Sequence, residues 1–441
     1  MFQRSFRSRT VLLALSAFLT AAASPERRAA SSVAMEAIGP EGGEIYGLAY
    51  HPADTKTIYA AVGTWPSTIF KTRDGGRLWS KVSRIDDRIW DLAVDPRHPR
   101  IIYALGDGHL YKSETGAEET AGPTGTSCWT SYSLGRGRSG YLGKVFVHPS
   151  NSKTLYASGN FDYRANPFRE AIAFFKSVDG GMTWKTRIVS KNSYYGDTLS
   201  FAMSPSDPET LYLSGYYGIA PHTANYGIFK STDAGENWRQ LPWNAGDAPY
   251  SIAVHPRHSG RIWVATGASV LRSQDGGSTW KPVTVIFDAG DLAVDRSNPD
   301  ILYAGANFGN YVSKSTDAGV TWTGTFGVYG ECLKMLVIDK GPNPGQTVFF
   351  GSLGGIFRSL NAGVSWAAAN SGLRNTVISA VVAAPSAPVI LYAQARYLGM
   401  FKSPDAGKTW ERLREISHCS GFMKIAVHPS NAKDIVVLSG G

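Results

Sequence analysis

Apolar residues recur along this chain in short runs, each closed by a turn signal. YGLAYHP at 46, WDLAVDP at 90, GKVFVHP at 143, LSFAMSP at 199, YSIAVHP at 250, GDLAVD at 290, LKMLVID at 333, ISAVVAAP at 378 and MKIAVHP at 423 form one series. A second apolar run follows each, among them TIYAAV at 57, IIYALG at 101, TLYASG at 154, TLYLSG at 210, RIWVAT at 261 and ILYAGA at 301. Runs of four to eight residues, rich in β-branched and aromatic types and bounded by Gly, Pro and Asp, are strand signals. Neither a heptad nor a long helical period appears. The pattern therefore predicts an all-β chain of short strands.

A third element sets the period. KSVDGGMTWK at 176 returns as STDAGENW at 231, SQDGGSTW at 273, STDAGVTW at 315, SLNAGVSW at 359 and SPDAGKTW at 403, with a looser copy, TRDGGRLW, at 72. The acidic position falls at Asp74, Asp179, Asp233, Asp275, Asp317 and Asp405, with Asn361 in the same slot. Gly supplies a turn with φ > 0, and the Asp and Ser/Thr oxygens accept backbone N–H bonds inside it. The Trp fills the gap between one sheet and the next. Steps of 42 to 54 residues from Asp179 to Asp405 match one four-stranded propeller blade. Eight units are complete, starting near 46, 90, 143, 199, 250, 290, 333 and 378. The second is disguised, because LYKSETG at 110 begins a box whose turn is lengthened before Cys128 and Trp129. A ninth unit at Met423 gives two strands. The expected fold is a single β-propeller of eight complete repeats plus a partial ninth; the alternative is a seven-bladed ring plus the start of a second.

The repeated phrase resembles the Asp-box, or bacterial neuraminidase, repeat. Families that carry it include sialidases, xyloglucanases, the sortilin ectodomain and photosystem II assembly factors. The resemblance covers nearly all of 44–441. It implies that the boxes join strands three and four of each blade, away from the ligand face, in a structural role. Activity is a separate question. The Arg-Ile-Pro motif of sialidases is not found. Where xyloglucanases carry a catalytic Asp in a phrase like TDVGGAYR, this chain reads AAVGTWPSTIFKT.

The N-terminus changes the picture of where such a protein works. Arg4, Arg7 and Arg9 precede VLLALSAFLTAAA, and Ala21 to Ala23 offer a cleavage site, so 1–23 reads as a signal peptide. Residues 24–43 read as a flexible lead-in that includes a closing-strand candidate, and 44–441 as the repeat domain. The expected location is secreted or periplasmic, without a membrane span. Formal charge is +9, and +6 without those three arginines, with no basic tract. This excludes nucleic acid as an expected partner and permits an anionic one. Three cysteines are too few for a disulfide framework. No cofactor or metal motif appears. His51, His148, His255 and His428 share a turn position before Pro and would stand too far apart round a ring to hold one ion. A monomer is expected.

Candidate chemistry lies in the loops that differ between units, on the face opposite the boxes. Ligand-binding candidates are Trp65, Trp90, Phe161, Tyr163, Arg164, Tyr194, Tyr195, Tyr217, His222, Arg396 and Tyr397, because flat rings on one rim stack on sugars or pack on peptides. Asp87, Asp162 and Asp197 are the candidate acid and base of a glycosidase. A further column, Gly47, Asp91, Lys144, Ser200, Ser251, Asp291, Lys334, Ser379 and Lys424, would line the mouth of the central channel. Its charges read either as a polar channel mouth that binds an ion or ligand or, as the expectation, as solvated pairs between neighbouring blades, Asp91 with Lys144 and Asp291 with Lys334. Two functions follow: a polysaccharide- or oligosaccharide-directed propeller, binding or hydrolysing, or a non-catalytic scaffold for an exported protein.

Overall fold

The computed structural model describes residues 42–439, apart from 52, 64, 120–126, 136, 139–142, 163–169, 191–194, 219–224, 284–288, 307–310, 339–346, 372, 374–375, 377, 396–398, 414–422 and 429. The proposed signal peptide and closing strand lie outside the described residues. The latter belong to one unit, Ile38–Gly441.

The described residues form antiparallel sheets and no helix. In the first sheet, Ile45–His51, Asp54–Val62, Ser67–Thr72 and Ser80–Ile85 pair in chain order. The same order recurs in seven further sheets, ending with Ile378–Ala384, Ala387–Ala395, Gly399–Ser403 and Glu411–Arg412. The third sheet carries one extra short strand, Gly137–Arg138, beside Leu155–Asp162. Met423–His428 and Asn431–Ser439 make a final two-stranded sheet.

Each box turn is built as its residues dictate. Ser177 Oγ donates to Asp179 Oδ1 at 2.7 Å and accepts from Gly181 N at 2.9 Å. Asp179 Oδ1 also accepts from Thr183 N at 2.9 Å. The last glycine has two reasons to be glycine. Gly235 has φ 83°, and a Cβ there would sit 2.0 Å from Phe174 of the preceding sheet. The lengthened second box keeps this core: Ala117 N donates to Ser113 Oγ at 3.1 Å, with Ala117 in the left-handed region. Its Trp129 is nevertheless buried, with Nε1 donating to Ser83 Oγ at 2.9 Å.

The contacts that close the ring settle how the sheets cycle. Box glycines lie against the sheet before them: Gly181 meets Leu110, and Gly235 meets Phe174. Gly76 of the first sheet meets Phe349 of the seventh in the same way. Ile45, Leu48, Phe70 and Trp79 share one core with Phe349, Ile356 and Leu373. Trp79 Nε1 donates to Ala369 O at 2.9 Å, and Gly42 N to Leu373 O at 2.6 Å. The seventh sheet thus packs directly against the first. The eighth sheet continues past this seam. Its Phe401 and Trp410 pack near Tyr329, and the Arg412 guanidinium lies 3.7 Å from the Tyr329 ring centre.

Candidate functional site

Strand register fixes which loops share a face. In the third sheet Leu155 pairs with Ser177 at the box end, and Asp162 with Glu170 at the other. In the fourth, Leu211 pairs with Ser231 and Tyr217 with Asn225. The loops between second and third strands therefore leave the sheets opposite the boxes, as do the junctions that lead into each next sheet. The four proline-preceding histidines sit at the other end as turn residues. His51 Nδ1 accepts from Ala53 N at 3.1 Å, and His255 Nδ1 from Arg257 N at 3.0 Å.

The candidate aromatic residues separate into three groups. Trp65, at a cis Trp65–Pro66 bond, is 67% exposed. Trp90 is buried: its Nε1 donates to Asp107 Oδ1 at 2.5 Å, Tyr46 meets its ring edge-to-face at 5.6 Å, and Arg88 lies 4.9 Å from the ring centre. Phe161 packs on the core of the second and third sheets, and Tyr217 on that of the fourth, where its hydroxyl accepts from Gln240. Tyr163, Arg164, Tyr194, His222, Arg396 and Tyr397 lie outside the described residues, as do the side chains of Asp162 and Tyr195.

The two describable acid candidates stand in different surroundings. Asp87 is buried. Tyr111 Oη donates to its Oδ2 at 3.0 Å and Arg88 N to its Oδ1 at 2.7 Å. Burial raises its pKa, and these bonds and the Asp107 charge modify the rise. Asp197 opens the innermost strand of the fourth sheet, Tyr195–Met203, opposite Tyr216. Burial pushes its carboxyl up to about 6; bonds from Asn160 and Thr198 oppose the rise and the Glu170 charge adds to it. Its Oδ1 is buried with no hydrogen-bond partner. A carboxyl in this state keeps its proton to a higher pH than an ordinary carboxylate and can give it up.

The channel column holds together differently from the expectation. Its side chains reach the next sheet's backbone: Asp91 Oδ2 accepts from Val145 N, Ser200 Oγ from Ile252 N, Ser251 Oγ from Leu292 N and Asp291 Oδ2 from Met335 N, all at 2.9–3.1 Å. The charges pair across the channel instead of between neighbours. Lys334 Nζ lies 2.7 Å from Asp91, and Lys144 Nζ 3.6 Å from Asp291. Gly47 of the first sheet lies close against the second: a Cβ there would already lie 3.1 Å from Leu92 N. The two carboxylates are buried and the two ammoniums partly so, instead of fully solvated. Burial alone would lower the Lys334 pKa, but Asp91 and Asp291 outweigh it and hold the ammonium above its ordinary value. Burial would likewise raise Asp291, but Lys144, Lys334 and two hydrogen bonds keep it below the usual range. The regular column was visible in the sequence; its partners were not.

No family model matches the chain. A xyloglucanase from Paenibacillus sp is 27% identical over 242 residues, which cover 46% of this chain and 23% of the relative. The match thus spans about a quarter of that relative's length. The structure of an ancestral GH74 enzyme superposes with a TM-score of 0.59 at 16% identity, covering 84% of this chain and 54% of the other. YCF48 from Cyanidioschyzon merolae superposes with a TM-score of 0.52 at 13% identity, covering 73% and 96%. Both likenesses are of fold: the chain has the all-β architecture of these propellers.

Proposed function

We propose that this is an exported, glycan-directed β-propeller that binds a neutral polysaccharide, xyloglucan or a related β-glucan, across the face opposite its box turns. One observation carries the reading: the Trp65 indole stands 67% exposed on that face, where burying it elsewhere would be favourable. The similarity to xyloglucanases supports the ligand class. Where the chain also hydrolyses its ligand, Asp197 is the general acid, because burial raises its carboxyl to about 6, so that it keeps its proton into weakly acidic pH, and one oxygen is uncommitted. Asp162 is the candidate for its partner. Asp87, with both oxygens hydrogen-bonded, positions the Trp90 region instead.

Affinity electrophoresis against a panel of xyloglucan, mixed-linkage glucan, xylan and mannan tests the binding. Retardation by a β-glucan that falls at least about tenfold in Trp65→Ala is the expected result. Release of reducing ends that survives in both Asp197→Asn and Asp162→Asn would remove the acid–base assignment. A panel with no binder, together with recovery of an exported protein partner, would replace the reading by that of an interaction scaffold.

A further inference from the structure

Tyr46, Trp90 and Leu333 each stand one residue before a channel residue, at the loop-face end of three innermost strands. Together they wall a pit whose floor is Asp91, Lys144 and Lys334. The Lys334–Asp91 and Lys144–Asp291 pairs link its charged residues at the channel mouth. The space is about 20 Å³, room for little more than the hydroxyl end of a small arm.

The chemistry of this pit is specific. Its floor offers both signs. Lys144 stands 3.6 Å from Asp291, beyond hydrogen-bond length, so that pair is held by charge without a direct hydrogen bond. Two carboxylates and two ammoniums sum to no net charge, and a charged guest would have to unbalance a buried pair. The rest of the lining is mostly apolar, from Tyr46, Trp90 and Leu333. A donor-and-acceptor floor under apolar walls, one group deep, fits a hydroxymethyl arm: its CH₂ lies on the walls and its hydroxyl meets the floor.

We propose that the channel mouth is a subsite for one neutral hexosyl unit, read through its exocyclic hydroxymethyl group. This rests on the glycan-directed reading above and names a specificity element of the same face. It distinguishes a glucosyl from a xylosyl unit, which share a ring and differ in that arm. A missing partner for a buried polar group discriminates more strongly than a missing methylene.

Calorimetric titration of the full chain with cellotetraose and xylotetraose tests it. Cellotetraose is expected to bind about tenfold more tightly. Lys144→Met is expected to erase that preference, and Leu333→Trp, which fills the pit without touching a charge, to erase it as well. Equal affinities for the two oligomers overturn the proposal, as does a preference that survives in both variants. Tighter binding of a tetragalacturonate would make the floor an anion site and overturn it too. Polysaccharide binding that depends on Trp65 but shows no glucose-over-xylose preference removes the pit alone. Absence of binding to any oligomer or polymer removes both this subsite and the function it rests on.

Discussion

Asp179 and Asp197 belong to the same chain and adjacent sheets, yet the two faces of the fold treat them oppositely. Asp179 lies in a box turn, where burial is slight and bonds from Thr183 and Ser177 outweigh it, holding the carboxyl down at about 2. Asp197 lies on the loop face, where burial dominates and raises it to about 6. The box turn is a closed local circuit: every oxygen has a donor a few residues away. The loop face brings groups together from distant strands and leaves one oxygen of Asp197 without a donor. Saturated polar groups stabilise a turn; an unsaturated one at a junction is where chemistry has room.

The largest expected effect tests whether the box face also closes the ring. Trp79 is 2% exposed and joins the first sheet to the seventh. Trp79→Ala should cost about 3–5 kcal/mol in denaturant unfolding, from lost contacts and the cavity left behind. A cost near that of a surface substitution would show that the seam is held elsewhere. Next comes the channel. Lys334→Met leaves Asp91 buried without its cation and should cost about 3 kcal/mol, with Asp91→Asn in the same background restoring part of it. Additive losses would show that the two residues do not act as a pair.

The pH dependence sharpens the contrast. The folded pKa of Asp197 lies above its unfolded value, so the folded state binds the extra proton. Its contribution is fully present below about pH 4 and is lost as pH rises through about 6. Asp197→Asn should therefore raise stability at pH 7 by an amount on the order of 2 kcal/mol and flatten the profile between pH 4 and 6. Asp179 runs the other way: its folded pKa is depressed, so its contribution is present above about pH 4 and is lost as pH falls toward 2. Asp179→Ala should lower stability at pH 7 by about 1 kcal/mol, the net worth of its hydrogen bonds. Profiles of equal sign for the two variants would erase the distinction between the faces.

Much of this was legible in the residues. The Ser–Asp–Gly–Trp phrase encodes its own turn through bonds that span at most a few positions, so even the lengthened copy at Ser113 to Ala117 was recognisable. The alternating apolar runs announced four-stranded sheets, and antiparallel order then placed the variable loops opposite the boxes. The candidate aromatic residues were harder. Trp65 and Trp90 look alike in sequence, yet one is exposed and the other sits between Arg88, Tyr46 and Asp107. Tyr46 was overlooked because nothing local marks it; only its place before Gly47, at the head of an innermost strand, could have pointed to it.

The sequence by itself determined the unit: strand, turn, box and the repeat length, all set by hydrogen bonds and side-chain periodicity within one blade. Only the tertiary structure decided which distant units pack against one another, and which charges share the channel. Lys334 finds Asp91 across 243 positions because the ring packing brings their two strands to one channel mouth. Burial and long-range pairing depend on what the whole ring brings within a few ångströms, and no local pattern records that distance.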